Sequence, residues 1–276
     1  MREMLIGYVA LLSTSAMGAS KVMSQDGTPI VYDIHGRGDV AIVFIHGFSC
    51  NRYQWREQID DFTDDHAVVT IDLGGHGESG DDRDEWEFSR FAHDVKSVAD
   101  ELELERMVLV GHSMGGPVVA SAAALMEDRV VGIVPVDSFQ NVEFEWPEGT
   151  VEAIAGQIRE DIETFMSGFV GGMLDEGISD ELRARLIYDS QNNDADVMAN
   201  VFLGFGDVSQ AQILAECPVP VHAINAALFE TNVEGNRKHN ESFEVTIVEN
   251  SGHWVMIEQP EAFNSALHEI LDDWLE

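Results

Sequence analysis

The sequence predicts an α/β fold in which helices flank a mostly parallel central sheet and a helical cap is inserted between two strands. Short apolar runs alternate with amphipathic helical patterns along most of the chain, which is typical of a parallel sheet. Several runs are continuous in Val, Ile, Leu and Met, as expected for strands that helices cover on both faces. The length of 276 residues and the hydrophobic fraction of 45% suit one such domain with an insertion.

The strands and helices can be placed in chain order from these patterns. Apolar runs predict strands at 30–35, 41–46, 67–72, 107–112, 130–137, 219–226 and 244–249. Helical spacing predicts helices at 52–62, 89–102, 114–127 and 261–275. Between residues 140 and 208 the alternation stops, and helical patterns at 151–169 and 180–189 have no strand between them. We therefore expect a core in two parts, 20–139 and 209–276, with residues 140–208 inserted as a helical cap.

Residues 1–19 have the outline of a secretory signal peptide. Apolar residues fill positions 5–12 and small residues continue to Ala19, which matches the apolar and cleavage regions of such a signal. The positive region is weak because Glu3 offsets Arg2, and the apolar run is shorter than the ~20 residues that span a bilayer. Two alternatives stay open: an exported protein, secreted or periplasmic, or a cytoplasmic protein that keeps this extension. No other stretch of the sequence suggests a membrane span.

The chain is strongly acidic, with 51 Asp and Glu against 15 Lys and Arg and a formal net charge of −36. This sign of charge excludes a nucleic-acid-binding protein and a membrane-surface protein that uses a basic face. Three of the basic residues are Lys, and a carboxylate-rich surface keeps a protein soluble in concentrated salt. We hypothesise adaptation to salt, with an acidic protein lacking such adaptation as the alternative.

No pattern in the sequence predicts a metal ion, an organic cofactor or a disulfide. Cys50 and Cys217 lie far apart and outside any metal or redox motif, so free thiols are expected. Paired aspartates such as Asp60 and Asp61 lack the spaced carboxylates and glycine of a calcium loop. The oligomeric state stays open.

The clearest chemical motif is Gly-His-Ser-Met-Gly at residues 111–115. It follows the strand pattern of residues 107–110 directly and leads into the helical pattern that begins at residue 114. A G-x-S-x-G motif between a strand and a helix is a nucleophile elbow, a sharp turn that exposes a serine oxygen at the helix N-terminus. Glycines flank the serine because the turn is strained and the neighbouring chain leaves no room for a Cβ atom. Ser113 is therefore the predicted nucleophile.

Together with the elbow, three further motifs resemble those of the α/β-hydrolase superfamily, over nearly the whole chain from about residue 25. His-Gly-Phe at 46–48 resembles the family's oxyanion loop. Asp-Leu-Gly-Gly-His-Gly-Glu-Ser at 72–79 resembles the turn after the following strand. Ser-Gly-His-Trp at 251–254, followed by Glu-Gln-Pro at 258–260, resembles the loop that presents the catalytic histidine. The resemblance implies a serine-nucleophile, esterase-like member.

The resemblance and the chemistry of acyl transfer suggest a role for each candidate residue. A serine hydroxyl needs a positioned base, and His253 suits this role because it follows the last strand, in the chain order serine, acid, histidine. The backbone N–H groups of Phe48 and Met114 are the expected oxyanion donors.

The acid of the expected triad has two candidates. The usual family position follows the predicted strand 219–226, where Glu230 is the first carboxylate. Some α/β-hydrolases place the acid at the end of the preceding core strand, and Asp137 stands there, 24 residues after Ser113. Asp137 is the preferred acid and Glu230 the alternative, and a triad without a carboxylate stays open.

The predicted function is hydrolysis of small to medium carboxylic esters through an acyl-enzyme on Ser113, with a small-molecule ester as the partner and no cofactor. The elbow serine argues against haloalkane dehalogenases and epoxide hydrolases, which resemble this chain but use an aspartate nucleophile. C–C bond hydrolysis and cofactor-free perhydrolysis on the same triad stay open as alternatives. So does a non-catalytic small-molecule receptor on this fold.

Overall fold

The structure, a computed structural model, describes residues 19–275, and within them eight strands form a single sheet. The strands are β1 Ser20–Met23, β2 Pro29–Gly36, β3 Ala41–Ile45, β4 Ala67–Asp72, β5 Met107–His112, β6 Val130–Val136, β7 His222–Ala226 and β8 Glu244–Val248. Their order across the sheet is β1-β2-β4-β3-β5-β6-β7-β8. The pairs β1–β2 and β2–β4 are antiparallel and all other neighbours are parallel, so the predicted mostly parallel sheet is confirmed.

Eleven helices within the described residues connect and cover the strands. They are α1 Arg56–Phe62, α2 Phe88–Glu101, α3 Gly115–Leu125, α4 Thr150–Glu160, α5 Ile162–Gly171, α6 Asp180–Gln191, α7 Ala195–Leu203, α8 Gln210–Glu216, α9 Val233–Arg237, α10 Val255–Glu258 and α11 Pro260–Leu275. Every residue of β3, β4 and β5 is buried, which explains why these strands are uninterrupted apolar runs. Helix α3 packs on β5 and β6, and eight of its eleven residues are buried.

The observed elements differ from the predicted ones at several positions, and the short helices α7 to α10 have no counterpart among the predicted helices. The sequence patterns miss β1, because four residues of alternating partial burial give a weak signal. The pattern at 151–169 forms two helices, α4 and α5, because Asp161 leaves the helical conformation and its carboxylate accepts the Thr164 N–H at 3.0 Å. The predicted strand 219–226 is shortened to β7, with only an isolated bridge at Val221. The predicted helix 52–62 begins as a 3₁₀ turn, Arg52–Trp55, before α1.

Residues 140–208 contain helices α4 to α7, and within this segment no strand occurs. The division of the chain into core and cap stays a prediction. The predicted signal peptide, residues 1–19, lies outside the described residues except for Ala19. None of the helices between residues 19 and 275 combines the length and the apolar character that crossing a bilayer requires.

A buried arginine anchors the chain after β3 to the end of β4. Arg52 Nε lies 2.6 Å from Asp33 Oδ2, and its guanidinium also pairs with Asp72 and Glu78. The Arg52 N–H donates to Asp72 Oδ1 at 2.6 Å. The Arg52 side chain is 1% exposed, so these carboxylates offset the cost of burying its charge. The cluster fixes the chain shortly after Phe48, a predicted site residue.

Candidate active site

Parallel strands bring the predicted site residues to one edge of the sheet. Phe48 follows β3 and Ser113 follows β5, while Asp137 follows β6 and His253 follows β8. The carboxyl ends of parallel strands meet at the same edge, where α/β folds bind their ligands. All four residues, together with Met114, line one cavity.

Ser113 occupies a sharp turn between β5 and α3. Its φ is +52°, in the left-handed region that non-glycine residues rarely adopt. A Cβ atom on Gly111 would lie 2.2 Å from Gly115 O. A Cβ atom on Gly115 would lie 2.8 Å from Ile45 O. The neighbouring backbone comes so close to the motif that a side chain larger than that of glycine would clash with it at these positions. This is what the nucleophile-elbow interpretation expects.

His253 is paired with Asp137 rather than with Glu230. His253 Nδ1 lies 2.5 Å from Asp137 Oδ2, and the Asp137 side chain is fully buried. The other carboxylate oxygen, Oδ1, accepts the Ala226 N–H at 3.0 Å. Glu230 is exposed in the loop after β7. An ionised carboxylate can only accept, so the imidazole proton is assigned to Nδ1.

The Ser113 hydroxyl and the second imidazole nitrogen have no protein partner within residues 19–275. Both residues line the cavity, and neither Ser113 Oγ nor His253 Nε2 makes a hydrogen bond with the described part of the chain. In unliganded sites the contact between nucleophile and base is often long, and it tightens when substrate binds. Both groups are therefore available to a ligand in the cavity.

The two predicted oxyanion donors are also unpaired. Within the described residues, the backbone N–H groups of Phe48 and Met114 donate to no protein acceptor. Met114 directly precedes α3, so its N–H lies at a helix N-terminus, where the helix dipole favours negative charge. Two unpaired N–H groups, on residues that line the same cavity as Ser113, are the donor set that a tetrahedral oxyanion requires.

The loop that carries His253 is held by the carboxylate of Glu258. Glu258 Oε2 accepts the Gly252 N–H at 2.9 Å and the Asp175 N–H at 3.0 Å. Glu258 Oε1 accepts the Trp254 N–H at 3.1 Å. These bonds join the histidine loop to the segment between α5 and α6 that contains Asp175. Sequence analysis places Glu258 in a motif but assigns it no role. Its position five residues after His253 is the signal in the sequence that could have indicated a contact with the histidine loop.

The other histidines near the site have structural contacts. His112 Nε2 lies 2.9 Å from His253 O, and burial holds the pKa of His112 well below its usual value. His46 Nε2 accepts the Leu73 N–H at 3.0 Å, and burial lowers the pKa of His46 to about 4. Both rings are therefore neutral near pH 7, and they shape the loops around Ser113. Between residues 19 and 275, no group of three or more His, Cys, Asp or Glu is arranged to hold a metal ion.

The cavity above Ser113 has a volume of about 440 Å³ and a mostly apolar lining. Aromatic and Met side chains dominate the lining, and they come from the core loops as well as from α5 and α7. Polar groups are few and concentrated near Ser113 and at the amides of Gln140, Asn141 and Gln210. An apolar cleft with a few convergent polar groups is the usual form of a small-molecule site.

Comparison with known proteins identifies the family. The model described as "Alpha/beta hydrolase family" matches residues 42–266, which is most of the chain. The chain belongs to the alpha/beta hydrolase family.

Individual relatives of this α/β-hydrolase differ in name and length. It is 27% identical to a Bacillus subtilis protein provisionally named 2-succinyl-6-hydroxy-2,4-cyclohexadiene-1-carboxylate synthase, over 92% of this chain and 99% of that protein. It is 33% identical to the dihydrolipoyllysine-residue acetyltransferase component of an acetoin cleaving system from Cupriavidus necator, over 50% of this chain but only 38% of that protein. The structure of a thermophilic esterase from Thermogutta terrifontis covers 93% of this chain and 99% of its own, with a TM-score of 0.81. Its 21% identity supports the fold alone.

The fold, the family and the enzyme class predicted from the sequence are thus confirmed. The catalytic roles of Ser113, His253 and Asp137, and the donor roles of Phe48 and Met114, stay predictions.

Proposed function

We propose that this α/β-hydrolase is a serine esterase that cleaves small to medium carboxylic esters through an acyl-enzyme on Ser113. The observation that supports the proposal most is the 2.5 Å contact between His253 Nδ1 and the buried Asp137 carboxylate, at a cavity that Ser113 also lines. An oriented imidazole beside an elbow serine is the arrangement that activates a hydroxyl for attack.

The first half of the reaction forms the acyl-enzyme. Ser113 Oγ attacks the ester carbonyl carbon while His253 Nε2 takes the hydroxyl proton. Asp137 keeps the Nδ1 proton in place and stabilises the imidazolium that forms. The negative charge on the former carbonyl oxygen is stabilised by the N–H groups of Phe48 and Met114. When this tetrahedral intermediate collapses, the alcohol leaves with the proton that His253 Nε2 returns.

The second half releases the acid. A water molecule takes the place of the alcohol and attacks the acyl carbon, again with His253 Nε2 as the base. Collapse of the second tetrahedral intermediate breaks the bond to Ser113 Oγ, which recovers its proton from His253. The carboxylic acid product then leaves the cavity.

The cavity volume of about 440 Å³ suits a substrate of small to medium size. C–C bond hydrolysis and perhydrolysis would use the same residues, and a receptor would use the cavity without turnover. An ester hydrolysis assay separates an esterase from a receptor, because a receptor binds an ester without releasing alcohol and acid.

Hydrolysis of p-nitrophenyl butyrate by wild type, Ser113→Ala and Ser265→Ala tests the proposal. Ser265 is exposed on α11 and serves as the matched serine control. We expect Ser113→Ala to lower kcat by about 10³-fold or more, and Ser265→Ala to leave it unchanged. Turnover by wild type that Ser113→Ala does not reduce would overturn the proposal, and so would a folded wild type that binds esters without turnover.

A further inference from the structure

A continuous aromatic wall runs from the protein surface to the predicted oxyanion donor. Phe144, 53% exposed, contacts Trp146 edge to face with the ring centroids 5.4 Å apart. Trp146 contacts Phe202 at 5.9 Å, and Phe202 contacts Phe48 at 5.5 Å. Phe205 lies 5.2 Å from Phe202. All five rings line the cavity that Ser113 also lines, so they form one aromatic surface beside a ligand bound there.

The remaining lining of the cavity offers no cation. Among the described residues that line it, none is Lys or Arg. The buried His112 is neutral because burial lowers its pKa. The one carboxylate in the lining, Asp137, is already paired with His253. Gln140 and Gln210 carry neutral amides, and neither side chain makes a hydrogen bond within residues 19–275.

From this lining we infer that the site selects neutral esters with aromatic or alkyl groups and rejects esters that carry a carboxylate. The inference rests on the proposed esterase function and names its substrate class. An apolar group gains by leaving water for the aromatic wall. A carboxylate would lose its hydration without meeting a positive partner, inside a protein of net charge −36.

A matched pair of substrates tests the charge selection. The p-nitrophenyl ester of adipic acid carries a free carboxylate, and its methyl ester carries none, while chain length and leaving group are the same. We expect kcat/KM to be about 100-fold or more higher for the neutral member, with background hydrolysis subtracted. The ratio should fall as salt is added, because screening weakens the repulsion by the protein's net charge.

Two variants at one position supply a gain-of-function test. Gln210→Lys places a cation in the lining, and Gln210→Met places a neutral side chain of similar length there. We expect Gln210→Lys to raise kcat/KM for the carboxylate ester relative to the neutral ester by about 10-fold. Gln210→Met should keep the wild-type ratio, which separates the charge from a change of shape.

A second substrate pair tests the aromatic wall. Trp146→Ala should lower kcat/KM for the p-nitrophenyl ester of phenylacetic acid by about 10-fold relative to that of acetic acid. Tyr188→Ala is the matched control, because Tyr188 is 65% exposed and does not line the cavity. Equal losses for both esters would contradict a role of the wall in selecting the acyl group.

The possible results distinguish the two proposals. Equal kcat/KM for the charged and neutral adipate esters, with both rates abolished in Ser113→Ala, would overturn the substrate inference while the esterase proposal stands. Absence of hydrolysis for every ester, in folded protein, would overturn both. A strong preference for the neutral ester that Gln210→Lys reduces and Gln210→Met preserves would support both.

Discussion

His253 Nδ1 lies 2.5 Å from Asp137 Oδ2, although the two residues are 116 positions apart in the sequence. The carboxylate is held from the other side by the Ala226 N–H, so its orientation is fixed by β7 as well as by β6. Because Nδ1 is engaged in this contact, Nε2 is the nitrogen left for a ligand in the cavity.

Removal of the Asp137 charge tests its role as the triad acid. In Asp137→Asn we expect kcat for p-nitrophenyl butyrate to fall by about 10⁴-fold, because an amide can donate to Nδ1 and stabilise the wrong imidazole tautomer. Glu230→Gln is the matched control and should retain wild-type kcat, since Glu230 is exposed and is not the carboxylate that contacts His253 Nδ1. A large loss in Glu230→Gln with little loss in Asp137→Asn would reverse the assignment of the acid.

The bonds that Glu258 accepts predict a positioning role. In Glu258→Gln we expect kcat to fall about 10-fold with KM little changed, because the loop that carries His253 loses charge-assisted bonds to its N–H groups. The free energy of unfolding should fall by about 1–2 kcal/mol. Steady-state kinetics and urea unfolding measure the two effects.

Glu261→Gln provides the comparison for Glu258→Gln, since Glu261 is an exposed residue in the first turn of α11. Glu261→Gln should leave both kcat and the free energy of unfolding close to their wild-type values. If Glu258→Gln lost stability but kept wild-type kcat, the carboxylate would have a structural role only.

Buried neutral histidines predict a loss of stability in acid. Burial lowers the pKa of His46 to about 4, and burial together with repulsion from His46 lowers that of His76 to about 3, from 6.5 in the unfolded chain. Below pH 6.5 the unfolded chain therefore binds protons that the folded protein does not. The free energy of unfolding should fall as the pH drops from 6.5 to 4, by about 1.4 kcal/mol per pH unit for each histidine.

His76→Asn removes one of these titrating groups. Its side-chain amide can still donate to Gly74 O, which His76 Nδ1 approaches at 3.0 Å. Urea unfolding across this pH range should give a slope that is smaller by about one proton in the variant. An unchanged slope would show that His76 is not a neutral buried histidine in the folded protein.

The acidic surface predicts stabilisation by salt. The side chains of Arg52 and Arg83 are 1% and 2% exposed. Because these two cations pair with carboxylates below the surface, the surface itself carries fewer positive charges to offset its carboxylates. Salt shortens the Debye length to ~3 Å at 1 M and weakens the repulsion between surface carboxylates. We expect the free energy of unfolding, and with it Tm, to rise as NaCl goes from low to molar concentration. Each kcal/mol gained in the free energy of unfolding corresponds to an increase in Tm of about 2–4 °C. A Tm that is flat or falling would contradict salt adaptation.

Features that depend on neighbouring residues could be predicted from the sequence. The nucleophile elbow is local, because the positive φ of Ser113 and the close approach at Gly111 require small residues at fixed spacing. The buried strands could be predicted because their apolar runs reflect cover on both faces.

Features that depend on contacts between distant parts of the chain could not be predicted from the sequence. The choice between Asp137 and Glu230 depends on where the loop after β7 points, and its residues 227–230 are exposed. The role of Glu258 depends on its contact with the Asp175 N–H, 83 residues earlier in the chain. The break at Asp161 depends on a single side chain that caps α5.

The most direct test of the account is covalent labelling of the native protein with a fluorophosphonate, followed by intact mass and peptide mapping. We predict one adduct, located on Ser113, that forms slowly or not at all in His253→Ala and is absent in Ser113→Ala. Failure of the folded wild type to react, or an adduct on another residue, would contradict the claim that His253 activates the Ser113 hydroxyl.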